Sequence, residues 1–236
     1  MKVKDLLKRN IVFISLSLVL AIALGLALLC IPKGELHLLI CNRHTPARDI
    51  FYRYYTQAAE WLPYVICLLI LLFGRAGNAA LATSCVALSG LTTQIVKHIV
   101  NAPRPLTWFA ANMPDVQLPL VEGLSMSRYF SFPSGHTTTF FSLFFALSII
   151  ITSHLTAKQS NSTSGLTGLT ALLQAVLFTL AALGAYSRIY LSQHFAADVL
   201  GGIIVGLLIS IACYAVFSRF ESYKWYNYRL LGKKVH

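Results

Sequence analysis

Six apolar runs, each long enough to cross a bilayer, constrain this chain more than any other feature. A hydrocarbon core takes about 20 helical residues per crossing, with a range of about 17–25. The runs Ile11–Ile31, Gln57–Phe73, Ala79–Val100, His136–Ser153, Leu169–Tyr186 and Val199–Phe217 all meet that length. Charged residues make up 11% of the 236 and hydrophobic ones 56%, against about 25% charged in soluble domains. The expected fold is all-α, a polytopic integral membrane bundle of about six transmembrane helices. Pro32 ends the first run sharply, and Pro63 is read near the start of the second, where a missing N–H is tolerated. Trp61 and Tyr64, and Trp225, Tyr226 and Tyr228 after the last run, fit an interfacial aromatic belt better than stacking platforms for sugars or bases.

The start of the chain has a basic cluster (Lys2, Lys4, Lys8, Arg9) followed by the first apolar run, which resembles a signal peptide. The run is longer than a signal core of roughly 7–15 residues and lacks a small-x-small cleavage site, so a retained first helix is expected. Lysines and arginines number eleven in the segments on the N-terminal side of the spans and eight on the other side. Three of those eight, Lys97, Arg104 and Arg188, belong to motifs described below. The positive-inside rule therefore puts both termini in the cytoplasm. The formal net charge is +11, but the cations lie in short segments between apolar runs. Anionic lipid headgroups are the expected partners, and nucleic acid is not. Five cysteines, Cys30, Cys41, Cys67, Cys85 and Cys213, have neither a disulfide framework nor zinc spacing and are assigned no chemistry.

Three stretches fall on the outer side of this topology. The first is Lys97 to Pro105, a Lys-x6-Arg-Pro pattern carried by Lys97 and Arg104. The second is Pro133-Ser134-Gly135-His136, a tight turn opening the fourth run, where free helix N–H groups bind anions. The third is Ser187 to Asp198, a Ser-Arg-x5-His-x3-Asp pattern containing Arg188, His194 and Asp198. Taken alone, the turn is as readily a polar helix cap, Arg188 a snorkelling charge and Asp198 an interfacial cap. Together and in this order, the three stretches resemble the signature of the type-2 phosphatidic-acid-phosphatase superfamily. The signature spans the middle half of the chain, which argues for a single membrane-embedded lipid phosphatase domain over residues 1–236, with its active site at the outer-face helix ends.

The chemistry of phosphoryl transfer explains why such residues are needed. The transferred group requires positive charge and N–H donors on its equatorial oxygens, an in-line nucleophile and an acid for the leaving oxygen. Lys97, Arg104 and Arg188 supply a cation clamp, with arginine suited to bidentate contacts. Ser134 and the N–H of Gly135 complete the phosphate cradle. Sequence alone leaves the two histidines exchangeable. The resemblance, with a carboxylate four residues beyond His194, implies that His194 is the nucleophile forming a phosphohistidine. It also implies that Asp198 fixes the ring of His194, and that His136 protonates the leaving alkoxide and then activates water. Ser187 is read as a helix-end hydrogen-bonder, Tyr190 and Gln193 as pocket lining, and His98, His154 and His236 as structural or solvated. No paired carboxylates or His-Glu spacing suit a two-metal phosphatase, so no metal and no cofactor are expected.

The expected activity is a metal-independent phosphatase acting on a phosphorylated membrane lipid. Similar six-helix members of the family act on phosphatidic acid, phosphatidylglycerol phosphate, undecaprenyl diphosphate or lipid A phosphates. A site facing the envelope compartment of a bacterial cytoplasmic (inner) membrane favours lipid A or undecaprenyl diphosphate. A phosphotransferase using the same phosphoryl-enzyme is the alternative, and a non-catalytic lipid binder fits intact motifs poorly. Related soluble haloperoxidases use a similar pocket for vanadate, a remote reading beside six spans. The outer segment 101–132 is expected either to cover the site or to rest on the bilayer. The segment Leu36–Arg53 is expected as an interfacial helix with snorkelling cations. Lys158 to Gly165 reads as a cytoplasmic linker whose sequon, Asn161-Ser162-Thr163, faces away from the glycosylating side.

Overall fold

A computed structural model describes residues 3–158 and 168–231. The linker sequence after Lys158, with Asn161-Ser162-Thr163, and His236 lie outside the described residues. Every regular element among the described residues is helical. In chain order these are α1 (Val3–Arg9), α2 (Ile11–Cys30), α3 (Lys33–Cys41), α4 (Pro46–Phe73), α5 (Ala76–Val100), α6 (Pro105–Asn112), α7 (Gly135–Lys158), α8 (Gly168–Tyr190), α9 (Ala196–Phe217) and the short α10 (Lys224–Asn227). Six of them, α2, α4, α5, α7, α8 and α9, are long and apolar enough to cross a membrane.

Local chemistry sets the ends of these helices. Pro46 occupies the first turn of α4, where its missing N–H costs nothing, and Thr45 caps it by accepting from Arg48 N–H at 3.3 Å. The segment 36–53 is consequently two pieces, α3 and the opening of α4, rather than one interfacial helix. This also corrects the second span. It begins at Pro46 instead of Gln57, so Pro63 is buried in the helix interior. Hydropathy missed the first turns of α4 because Arg48, Asp49 and Arg53 make them polar. In the same way α8 runs on to Tyr190, which places Arg188 in its last turn rather than in a connecting loop.

The bundle is built around α7, the most buried of the six, which packs on α5, α8 and α9. Close approach of α9 depends on glycine. A Cβ at Gly202 would lie 2.8 Å from the Ser134 carbonyl oxygen, and one at Gly201 would lie 2.5 Å from the Phe132 ring. Those contacts press the start of α9 onto the turn that opens α7. At the opposite end, the buried amide of Gln174 accepts from the first-turn N–H groups of Val12 and Phe13 and donates to Arg9 O at 2.7 Å. It thereby satisfies donors that a buried helix start would otherwise leave orphaned. Phe13 stacks on Phe145 at 5.2 Å between ring centroids, joining α2 to α7.

Candidate active site

The run directions of the six long helices bring the end of α5, the start of α7, the end of α8 and the start of α9 to one end of the bundle. A cavity of about 590 Å³ opens there. Lys97, Arg104, Gly135, His136, Arg188 and His194 all line it. Six residues separated by up to ninety-seven positions in sequence thus share one wall.

His194 sits in the α8–α9 connection, 1% exposed, with its main chain held by donation to Arg188 O at 3.1 Å. Its Nδ1 lies 3.3 Å from Asp198 Oδ2. The same carboxylate oxygen accepts from Ser131 Oγ at 2.5 Å and from Phe195 N–H at 2.9 Å. With three donors converging on it, Asp198 is an ionised acceptor, and His194 donates from Nδ1 and keeps its lone pair on Nε2. Burial pushes the His194 imidazole down to about 3, against the opposing pull of Asp198, so the ring is neutral near pH 7. A buried neutral imidazole with a fixed tautomer is a competent nucleophile or base.

The three cations are held by different elements. Arg188 is almost fully buried and donates from Nη1 to Thr56 Oγ1 of α4 at 2.6 Å, while its Nε has no partner among the described residues. A buried guanidinium nitrogen left without an acceptor matches a site meant for an anion. Arg104 is anchored through Nε to Tyr129 O and through Nη1 to Gln193 Oε1, both at 3.1 Å. Lys97 ends α5 facing the start of α7, where a Cβ on Gly135 would stand 4.0 Å from its Nζ. Among the described residues, the N–H groups of Gly135 and His136 have no backbone acceptor, as expected for the first turn of a helix.

Ser134 departs from its expected place. Its side chain is fully buried behind the cavity and accepts from Thr137 Oγ1 at 2.9 Å and Thr137 N–H at 3.4 Å. The hydroxyl caps α7, and its main chain donates to Asp198 O at 2.9 Å. A helix cap turns inward because the orphan N–H groups lie there, and that geometry outweighs the expected exposure to the cavity. Asp198 likewise stands behind His194 rather than in the cavity wall. Gln193 lines the cavity, whereas Tyr190 does not: its hydroxyl donates to Asp49 Oδ1 at 2.5 Å. Segment 113–134 borders the site through Gly123, Leu124 and Ser125, tied down by Gln193 Nε2 donating to Ser125 O at 3.2 Å and Arg53 Nη1 to Glu122 O at 3.2 Å.

Sequence reasoning missed α4. Thr56, Gln57 and Glu60 line the same cavity, and Glu60 Oε1 lies 3.4 Å from His136 Nε2. The signal available was weak: Thr56 and Glu60 are four residues apart, on one helix face, at the polar end of the second apolar run.

These features define a class, a polytopic membrane protein with a cationic pocket at the ends of its helices. The chain belongs to the PAP2 superfamily, whose family model matches residues 78–222, a stretch containing every candidate residue but neither Thr56 nor Glu60. Phosphatidylglycerophosphatase B of Bacillus subtilis (strain 168) is 33% identical over 102 residues, covering 43% of this chain and 44% of that protein. The match thus spans less than half the length of that relative. Among solved structures, Aquifex aeolicus LpxE is 26% identical with a TM-score of 0.57, covering 76% of this chain and 92% of that one. The transmembrane PAP2-type phosphatidylglycerolphosphate phosphatase from Bacillus subtilis matches with a TM-score of 0.56 and 17% identity over 92% of this chain and 99% of that one, a likeness of fold.

Proposed function

We propose that this chain, as one domain over residues 1–236, removes phosphate from a membrane lipid through a phosphohistidine on His194. The convergence of three cations and two histidines on one cavity carries this reading. His194 Nε2 attacks the terminal phosphorus, forming a P–N bond as the P–O bond to the leaving group breaks. His136 gives its proton to that departing oxygen, a lipid alkoxide from a monoester or the lipid monophosphate from a diphosphate. His136 then takes a proton from water, which attacks phosphorus and breaks the P–N bond, releasing inorganic phosphate and restoring both rings. Lys97, Arg104, Arg188 and the N–H of Gly135 balance charge on the equatorial oxygens throughout. With three fixed cations in that role, the reading needs no metal.

The site faces the outer leaflet of a bacterial cytoplasmic membrane with both termini inside, as the distribution of Lys and Arg supports. The substrate is a lipid phosphate of that leaflet, with lipid A or undecaprenyl diphosphate first. Phosphatidylglycerol phosphate is the second reading, favoured by the 33% identical relative named for that activity. The deciding experiment is phosphate release by purified protein in detergent with EDTA across these lipids, with His194→Ala beside wild type. Release by wild type alone is expected. Release requiring a divalent ion overturns the metal-free step, and no release from any lipid overturns hydrolysis in favour of transfer to another acceptor.

A further inference from the structure

The end of the bundle away from the candidate active site holds a second cavity, of about 610 Å³. It is assembled from the close of α1, the α4–α5 turn, the later turns of α7 and α9, and the C-terminal segment. No motif residue reaches it. Arg9, Arg75 and Arg229 line it with Ser153, His154 and Tyr214, and Glu221 is the one carboxylate in the wall among the described residues. Arg9 gives one nitrogen to Thr156 Oγ1 at 3.1 Å. Tyr214 is 2% exposed, and its hydroxyl has no hydrogen-bond partner among the described residues. Buried phenols find an acceptor as a rule, so this one points to an acceptor supplied by a ligand.

The position of the cavity narrows the ligand. It lies where the membrane spans end, beside the exposed aromatic rings of Tyr223, Trp225 and Tyr228, which mark headgroup depth. Phe73 belongs to the lining and is 63% exposed, so the cavity opens sideways onto the apolar flank of α4, where acyl chains lie. Basic pockets between helices at this depth suit lipid phosphates, and arginine forks match their oxygens. We propose that this cavity is a resident site for an anionic phospholipid. Its headgroup phosphate accepts from the Tyr214 hydroxyl and from the three guanidinium groups, tying α1 and the C-terminal segment to the α4–α5 turn. The site is independent of phosphate release, which takes place at the other end of the bundle.

Thermal unfolding of the full chain, stripped of lipid in detergent, tests this. Phosphatidylglycerol is expected to raise the wild-type midpoint by about 3 °C or more and phosphatidylcholine to leave it unchanged. The Arg75→Gln/Arg229→Gln variant is expected to lose that rise while releasing phosphate at the wild-type rate. Any rise from inorganic phosphate, which the candidate active site also holds, is expected to be equal in wild type and in this variant. A phosphatidylglycerol rise that survives in this variant, or that phosphatidylcholine matches, overturns the site. A rise from inorganic phosphate that this variant loses overturns the lipid as its occupant. Tyr214→Phe removes only the hydroxyl, so it covers the case in which the double variant fails to fold. Native mass spectrometry is expected to count one fewer retained phosphatidylglycerol on it than on wild type, and an equal count overturns the proposal.

Discussion

Replacing Glu60 with glutamine isolates the charge that faces His136. The carboxylate oxygen lies 3.4 Å from Nε2, and the Glu60 side chain is 69% exposed. Unit charges at this separation interact by about 1.2 kcal/mol at the dielectric of water and about 5 kcal/mol at an effective dielectric of 20. Exposure places the pair near the lower value, about 1 kcal/mol after screening. In a cavity otherwise lined by Lys97, Arg104 and Arg188, Glu60 would, on the proposed mechanism, be the counter-charge that lets His136 carry its proton to the leaving oxygen. Glu60→Gln is therefore expected to slow release from an alkyl lipid phosphate about fivefold. A p-nitrophenyl phosphate, whose leaving group needs little protonation, is expected to change less than about twofold. Initial rates on both substrates at neutral pH decide the matter. An equal fall on both, or none on the lipid, refutes a role for Glu60 through His136.

Three further outcomes follow from the geometry. Asp198→Asn keeps an acceptor for Ser131 and Phe195 but removes the charge behind His194, and is expected to lower kcat by about 10³-fold with KM little changed. Steady-state kinetics beside circular dichroism check it, and a loss under about tenfold detaches Asp198 from orienting His194. Burial pushes His194 down to about 3 and His37 down to about 4, while both take a proton near pH 6.5 when unfolded. The unfolded chain thus binds more protons between about pH 4 and 6.5, and stability falls as pH drops through that window. Melting in detergent is expected at a lower temperature at pH 5 than at pH 7, less steeply so in His37→Gln, and a flat profile contradicts this. Gly202→Leu would drive a Cβ to 2.8 Å from Ser134 O, whereas a Cβ at Gly25 meets nothing within 4 Å. The first is expected to cost about 1–3 kcal/mol of stability and the alanine control at Gly25 almost none, read from thermal midpoints.

The six spans and the ends of most helices were legible because hydropathy and capping are sums over neighbouring residues. Pro-Ser-Gly at 133–135 opens α7 for reasons contained in a few adjacent side chains, whereas the equally local break at Thr45 and Pro46 went unread because the polar turns after it hid the start of α4. The motif residues were legible too, since phosphate chemistry demands cations, N–H donors and imidazoles that ordinary membrane helices avoid.

Which residues meet across helices was decided only by the tertiary structure. Glu60 and Thr56 read in sequence as ordinary polar residues near a membrane interface. They reach His136 and Arg188 because the rotation and tilt of α4 against α7 and α8 aim that face inward. Ser134 belongs to a motif, yet its hydroxyl turns away from the cavity to cap α7, because the cap geometry competes for the same oxygen. The second cavity draws on five separated segments and carries no motif at all. A one-dimensional pattern records which residues a helix contains, whereas the angle at which it packs depends on partners such as Gly202 against Ser134, and these exist only once the chain has folded.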